Sequence, residues 1–409
     1  TVKKHRIVKE REQEENKMLQ GKTVLLGVTG GIAAYKMPNV ARMLKKMHCN
    51  VHVLMTQNAT NFITATTFET LTGNKCLIDT FDRNFEFSVE HVALAKQADL
   101  VLLAPATANV IGKIANGIAD DMLTTTVMAC TCKVLVAPAM NHNMYHNSIV
   151  QENLEKLKRH GYEMIDPVCG MLANGDTGDG KLPSEETLVE YVLRELAFEK
   201  DMQGLKVLVT AGPTQEAIDP VRFISNYSTG KMGYAIAKNA MLRGAEVTLV
   251  TGRTALEPPM FVKTVPVTSA KDMYQAVMEC AKEQDIIVKA AAVADYTPAH
   301  TADEKIKKSE GELSLALEKT TDILAELGKN KGNTVLCGFS METEHMLENS
   351  RAKRKKKNLD MIAANNLKQQ GAGFAGDTNV LTLITEDWEK ELALMSKDEA
   401  AKCCLLYTS

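Results

Sequence analysis

Two segments of the chain open alike, and that shared pattern restricts the fold more than any other feature. "QGKTVLLGVTGGIAAYKMPNVARMLKK" begins at Gln20, and "QGLKVLVTAGPTQE" begins at Gln203. In each, a glycine precedes an apolar run rich in Val and Leu, and a glycine-containing turn follows. Such a run reads as a buried parallel strand that delivers the chain to a loop at its carboxyl end. After the first run a helix is expected directly, with Ala33, Val40, Ala41 and Leu44 on its inner side. The strand "NVHVLMT" then completes a βαβ unit. Further strands are expected at Ala98–Thr107, Lys133–Met140, Ala245–Gly252, Gln284–Tyr296 and Asn333–Ser340, with helical patterns between most of them. Alternating β and α in both halves predicts two doubly wound α/β domains, with ligands at the carboxyl ends of the strands. The polar stretch Leu196–Lys206 is the expected link.

Composition narrows the classes. A chain of 409 residues exceeds one ordinary core. Its 45% hydrophobic and 24% charged content is ordinary for a globular protein. A net charge of −3 gives no global attraction to nucleic acid or membrane, so any basic site is local. No apolar run reaches the length of a membrane span, and the charged N-terminal stretch lacks a signal-peptide core. The nine cysteines lack zinc-like CxxC spacing, which favours reduced thiols in a cytoplasm. Met18 is the expected native start, with residues 1–17 a disordered extension and 404–409, "CLLYTS", a non-native tail. Neither end enters the functional reading.

In the first half, the loop "GVTGGIAAYK" puts Gly30 and Gly31 at a helix N-terminus, where backbone N–H groups can approach a phosphate. Alone, such a turn equally serves geometry. Thr56, Thr107, Asn109 and Asn141 at three further strand ends suit a planar phosphorylated cofactor. The run "HVALAKQADLVLLAPATAN" followed by "PAMNHNMY" (Pro138–Tyr145) resembles the flavin-dependent cysteine decarboxylase family. The resemblance implies His91 as the base and Asn141 as the holder of the substrate carboxylate. It implies Thr29, Gly30, Gly31, Thr56, Pro105, Ala106, Thr107, Ala108 and Asn109 as the FMN lining. The chemistry is consistent: the carboxylate leaves only when the carbanion has an electron sink, and oxidising the C–S bond with flavin supplies one. His91, with an ordinary pKa near ~6.5, can take the thiol proton. The flap departs from the family pattern. "LANGDTGDGKLP" places Asn174 where family members that finish with a reduced thiol carry cysteine, and Asn has no acidic proton to give. Cys169 on the same flap is a candidate substitute, against the alternative of an inert small residue.

In the second half, "ISNYSTGKMGYAIA" (Ile224–Ala237) contains a Gly-Lys pair but no Walker loop, because Ser225 and Met232 occupy the places of the required glycine and Ser/Thr. Gly230, Lys231 and Gly233 are expected in the first turn of a helix, with Ser228 or Thr229 near its cap. The whole run from Val207 to Gly252 resembles the phosphopantothenate–cysteine ligase signature. That resemblance implies Asn226 as a contact of an activated acyl intermediate, with Arg222 supporting its loop. Lys305 becomes the lysine of the covering loop. Lys289, Ala290, Ala291, Asp295, Thr321, Asp322, Ile323, Phe339, Lys353 and Lys357 become nucleotide contacts, Thr321 replacing the usual proline. "AANNL" (Ala363–Leu367) fits the family's ending of its strand. Read alone, the basic runs around Lys305 and Lys353 would be solvated faces.

Together the resemblances imply two Rossmann-like domains: an FMN-dependent phosphopantothenoylcysteine decarboxylase over 18–197 and a phosphopantothenate–cysteine ligase over 203–400. The implied ligands are FMN, Mg²⁺, CTP, 4′-phosphopantothenate and cysteine, with no nucleic acid and no membrane. The implied assembly is a homo-oligomer built on trimers of the flavin domain, up to a dodecamer, with dimers of the ligase domain. Two alternatives stay open at Asn174: a flavin half that stops at the ene-thiol, or a flavoprotein subunit without turnover.

Overall fold

A computed structural model describes residues 17–80, 90–171, 177–307, 314–342, 344–366 and 376–406. It divides into a unit ending at Phe198 and a unit beginning at Glu199. The N-terminal extension lies outside the described residues, as does Asn174.

The N-terminal unit contains β1 (Thr23–Val28), β2 (Asn50–Met55), β3 (Leu100–Ala106), β4 (Lys133–Pro138) and β5 (Glu163–Met164). They form one parallel sheet in the order β2-β1-β3-β4-β5. β1 and β3 are buried along their whole length, which is why their sequences are unbroken apolar runs. The expected helix after β1 starts later than the sequence suggests. A 3₁₀ turn, Ile32–Lys36, comes first, and the α-helix begins at Met37 with Pro38 in its first turn. Val40, Ala41 and Leu44 are fully buried as expected, whereas Ala34 rather than Ala33 takes the innermost place in the turn. A hairpin of β6 (Val168–Met171) and β7 (Thr177–Lys181) follows β5, with a register irregularity between Val168 and Gly170.

In the C-terminal unit, β8 (Lys206–Ala211) leads into a short hairpin, β9 (Gln215–Ala217) and β10 (Phe223–Ser225). Then come β11 (Glu246–Thr251), β12 (Lys263–Pro266), β13 (Ile286–Lys289), the pair β14 (Tyr296–Pro298) and β15 (Leu317–Lys319), β16 (Val335–Glu342) and β17 (Met361–Asn366). The chain ends with β18 (Thr378–Asn379), β19 (Leu381–Ile384), β20 (Glu389–Glu391), β21 (Met395–Ser396) and the helix Lys397–Leu406. The large sheet runs β12-β11-β8-β13-β16-β17-β19-β20, parallel up to β17 and antiparallel beyond it. The single strand expected over Gln284–Tyr296 is a correction: it stops at Lys289, and Ala290–Asp295 leave the sheet before β14 begins. Cys404 and Leu405 of the last helix are buried. All nine cysteines are free thiols.

Strand order reverses between β1 and β3 in the first sheet and between β8 and β13 in the second, so each sheet opens a crevice beyond those carboxyl ends. In the second unit the helix Lys231–Leu242 lies directly against β8. Gly233 allows that approach: a Cβ there would sit 2.5 Å from Ala211 Cβ and 2.9 Å from the Thr210 carbonyl oxygen. We therefore expect Gly233→Ala to destabilise the C-terminal unit by about 1–3 kcal/mol through overpacking. Denaturant unfolding followed by far-UV circular dichroism checks this; an unchanged midpoint would mean that the helix is free to lift.

Candidate functional site

At the first crevice, Thr29 follows β1 and is fully buried. Its hydroxyl donates to the Pro105 carbonyl at 2.6 Å and accepts the Thr107 N–H at 3.0 Å, which ties the end of β1 to the end of β3. Gly30 packs so closely that a Cβ would lie 2.5 Å from Asn58 Cβ. Gly31 begins the 3₁₀ turn with no side chain capping it. Thr56 caps the turn Gln57–Asn61 by accepting from Ala59 N at 3.3 Å. Thr107 caps the helix Ala108–Ala115, which carries Ala108 and Asn109 in its first turn. The expected FMN-lining residues thus converge on the carboxyl ends of β1, β2 and β3.

His91 is partly buried near the start of the helix Glu90–Gln97. Asn141 caps the short helix His142–Tyr145: its Oδ1 accepts from Asn143 N at 2.9 Å. The cap fixes the amide and keeps Nδ2 as the group left to meet a ligand. The hairpin β6–β7 docks on this segment through Met140 N, which donates to the Gly180 carbonyl at 3.0 Å. Cys169 is exposed on that hairpin. His142, His146 and Asp179 bring ligand-type atoms within 4.8 Å of one another. However, His142 Nδ1 accepts the Asp179 N–H at 3.2 Å, and His146 Nε2 pairs with the Asp179 carboxylate at 3.0 Å. An accepting Nδ1 places the neutral ring's proton on Nε2, so His142 offers no lone pair to an ion.

At the second crevice lies a cavity of about 480 Å³. It brings together Asn226, Lys289, Ala290, Ala291, Asp295, Thr321, Asp322, Ile323, Phe339, Lys353 and Lys357, all expected from the sequence. Arg222 and Lys305 are not in its lining. The loop Ala290–Asp295 is laced to β8: Ala291 N donates to Thr210 Oγ1 at 3.1 Å, Ala292 N to the Gly212 carbonyl at 3.0 Å, and Ala294 N to Thr214 Oγ1 at 3.0 Å. Asn226 Nδ2 donates to the Ala292 carbonyl at 3.0 Å, which leaves its Oδ1 for a ligand. Gly230, not Ser228 or Thr229, is the N-cap of the helix Lys231–Leu242. Its φ of 79° selects glycine, and no side chain caps the helix end.

Lys353 and Lys357 lie one turn apart near the end of the helix Met346–Lys356 and both reach the cavity. Lys357 pairs with Asp322 at 2.7 Å, and Asp322 in turn caps the helix Ile323–Lys329. Of the other basic residues on this helix, Arg351 pairs with Glu389, Arg354 is buried against the Leu359 carbonyl, and Lys355 and Lys356 are exposed. Burial pushes the Lys289 ammonium down to about 8, and the neighbouring Lys357 charge pushes the same way. Lys353 is lowered by the same two causes.

Arg222 has a different task. It donates to Asp219 at 3.0 Å and to the Ile306 carbonyl at 2.7 Å, while Ile306 N donates to Asp219 at 3.1 Å. Burial works against the Asp219 charge, yet Arg222 and the surrounding N–H groups hold the carboxyl well below its usual range. The clasp fixes the residue next to Lys305, which is exposed between β14 and β15. The sequence reasoning missed this clasp. Asn379 and Lys397 in the cavity wall were not foreseen either, nor was Asn365, noted only as part of a strand ending, whereas Lys231, expected in the first turn of its helix, does line the cavity. An isolated Asn or Lys carries no pattern that marks it.

Fold and sites together define a pair of doubly wound α/β domains, each with its crevice where the strand order reverses. The Flavoprotein family matches residues 12–197, and the DNA/pantothenate metabolism flavoprotein C-terminal domain matches residues 202–407. The "Coenzyme A biosynthesis bifunctional protein CoaBC" of Bacillus subtilis (strain 168) is 46% identical over 384 residues, covering 93% of this chain and 95% of that protein. Its namesake in Vibrio vulnificus (strain CMCP6) is 45% identical over 385 residues, with 93% and 95% covered. A crystal structure of the C-terminal domain of a protein of that name shares 43% identity, covering 50% of this chain and 94% of that one, at a TM-score of 0.44. The chain belongs to this family of bifunctional coenzyme A biosynthesis proteins, which join a decarboxylase and a ligase. Among the described residues, no helix is long and apolar enough to cross a membrane.

The Lys289 shift generates a prediction. Its cationic form would attract a triphosphate bound in the cavity, and that form is lost as pH rises through about 8. Nucleoside triphosphate affinity should therefore weaken about three- to tenfold between roughly pH 7 and 9. In Lys289→Met the pH dependence should flatten. Calorimetric titration at several pH values checks this, and parallel slopes for both proteins would contradict it.

Proposed function

We propose that the C-terminal unit activates 4′-phosphopantothenate with CTP and Mg²⁺ and couples it to cysteine, and that the N-terminal unit, holding FMN, decarboxylates the product to 4′-phosphopantetheine. The observation that carries the ligase half is the cavity at the β8/β13 switch point, where Lys289, Lys353 and Lys357 crowd around the end of one strand. Positive groups held this close disfavour one another's charge, and a polyanion relieves that cost. Phe339 offers an aromatic surface in the same cavity, which suits a base. Asn226 would present its free Oδ1 to the acyl-nucleotidylate. Lys305 would close over it from the loop that Arg222 positions. The rule that ligands bind at the switch point supports this assignment.

In the N-terminal unit the crevice fits a planar phosphorylated cofactor: Gly30 and Gly31 leave the backbone accessible, and Thr56 and Thr107 stand at the ends of neighbouring strands. Bound FMN supplies the two-electron acceptor that decarboxylation of a thiol-bearing acid requires. His91 would take the thiol proton, and Asn141 Nδ2 would donate to the substrate carboxylate. Exposed apolar side chains, Tyr35 at 60%, Ile149 at 67% and Met171 at 71%, are surface that a homo-oligomer would cover. A trimer-based assembly of the flavin domain belongs to the same reading.

Asn174 favours a second reading, in which the flavin half stops at the ene-thiol or lacks turnover. Cys169, exposed on β6, is the thiol that would return the proton in the first reading. Two substitutions test the halves separately. His91→Asn should abolish CO₂ release while amide formation continues. Asn226→Asp should slow amide formation about a hundredfold or more while externally supplied 4′-phosphopantothenoylcysteine is still decarboxylated. Retained CO₂ release in the first variant, or normal coupling in the second, would refute the assigned roles.

A further inference from the structure

The wall of the C-terminal cavity carries two acceptors that nothing in the nucleotide-phosphate reading uses. Asn365, at 6% exposure, and Asn379, at 3%, both line the cavity. Among the described residues, the Oδ1 of each is buried without a hydrogen-bond donor. The Asn379 amide has a fixed direction, because its Nδ2 faces Met232 Sδ at 3.5 Å and the flipped amide would set oxygen against sulfur. Register places Asn365 on the wall of the base pocket. Phe339 pairs with Ala363 and Met341 with Asn365, so Asn365 stands on the same face of the sheet as Phe339, one step nearer the strand end. The antiparallel partner of Asn365 is Leu381, which brings the chain from Asn379 alongside it.

A buried acceptor without a donor is unfavourable and rare in folded proteins, and it is tolerated where a ligand completes it. Phosphate oxygens cannot complete these, since near neutral pH they are themselves mainly acceptors, and lysines already serve them. The complement of two carboxamide oxygens is a group with at least two N–H donors. We propose that Asn365 and Asn379 recognise a primary amino group of a ligand in this cavity. The inference rests on the ligase reading. Two of the proposed ligands bring such a group: the amino-pyrimidine of the nucleotide and the amine of the incoming amino acid.

The test uses Asn365→Leu, Asn379→Leu and the double variant in the full-length chain. Leucine keeps the branching at Cγ and removes the orphan oxygen, and its bulkier methyl groups have the open cavity to enter, so thermal stability of the ligand-free variants should be unchanged or raised. A structural, satisfied asparagine would give the opposite result. Pyrophosphate release without cysteine, compared for CTP and UTP, reads base recognition, because the two differ at a single amino-to-oxo position. The KM for cysteine at saturating CTP reads amino-acid recognition. A fall of about tenfold or more in the CTP:UTP preference assigns the oxygens to the base amine; a rise of about tenfold or more in the cysteine KM assigns them to the amino acid. If stability holds but both readouts stay within about twofold of wild type, the proposal is overturned. Loss of stability with both readouts intact overturns it equally. Wild-type pyrophosphate release is measured alongside; its absence would remove the ligase reading itself, a failure distinct from loss of selectivity in the variants.

Discussion

Both crevices depend on one arrangement, a buried threonine hydroxyl that bridges the two strands between which the sheet reverses direction. Thr29 joins the end of β1 to Pro105 and Thr107 at the end of β3. Thr210 and Thr214 receive the N–H groups of Ala291 and Ala294, joining the end of β8 to the loop after β13. Parallel strands that diverge at their carboxyl ends leave backbone groups unpaired, and each unpaired buried group costs about 1–3 kcal/mol. The threonines satisfy those groups without filling the space beyond them.

On that frame the two units divide their chemistry by charge. The first crevice is built of small and hydroxyl-bearing residues with uncapped or threonine-capped turns, and it offers dipoles rather than full charges. The second gathers Lys289, Lys353 and Lys357 at the ends of neighbouring elements, with Asp322 held against Lys357. Burial first, and the neighbouring Lys357 charge second, hold Lys289 below its ordinary range. The proposed sites for a flavin phosphate and for a triphosphate would differ in this way.

Much of this was legible in the chain because buried parallel strands have to be apolar along their whole length. β1, β3 and β8 could be read directly, and so could the cavity residues that belong to local motifs. Legibility failed where composition and geometry part company. "IIVKAAAVADY" is apolar enough to read as one strand, yet its alanines leave the sheet to form the cavity wall. Pro38 delays the first helix by a turn that hydrophobic periodicity alone does not show. Arg222 and Asp219 act through Ile306, a partner far along the chain. Asn365 and Asn379 were invisible as acceptors, because only a three-dimensional count of donors shows that their oxygens have none.

The central claim is that both units work on one substrate in succession. The most direct measurement is the mass of the product formed when the FMN-loaded protein is given 4′-phosphopantothenate, cysteine, CTP and Mg²⁺. Successive action of the two units gives the mass of 4′-phosphopantetheine. Accumulation of 4′-phosphopantothenoylcysteine alone would contradict it, leaving a ligase joined to a flavin domain that does not turn over.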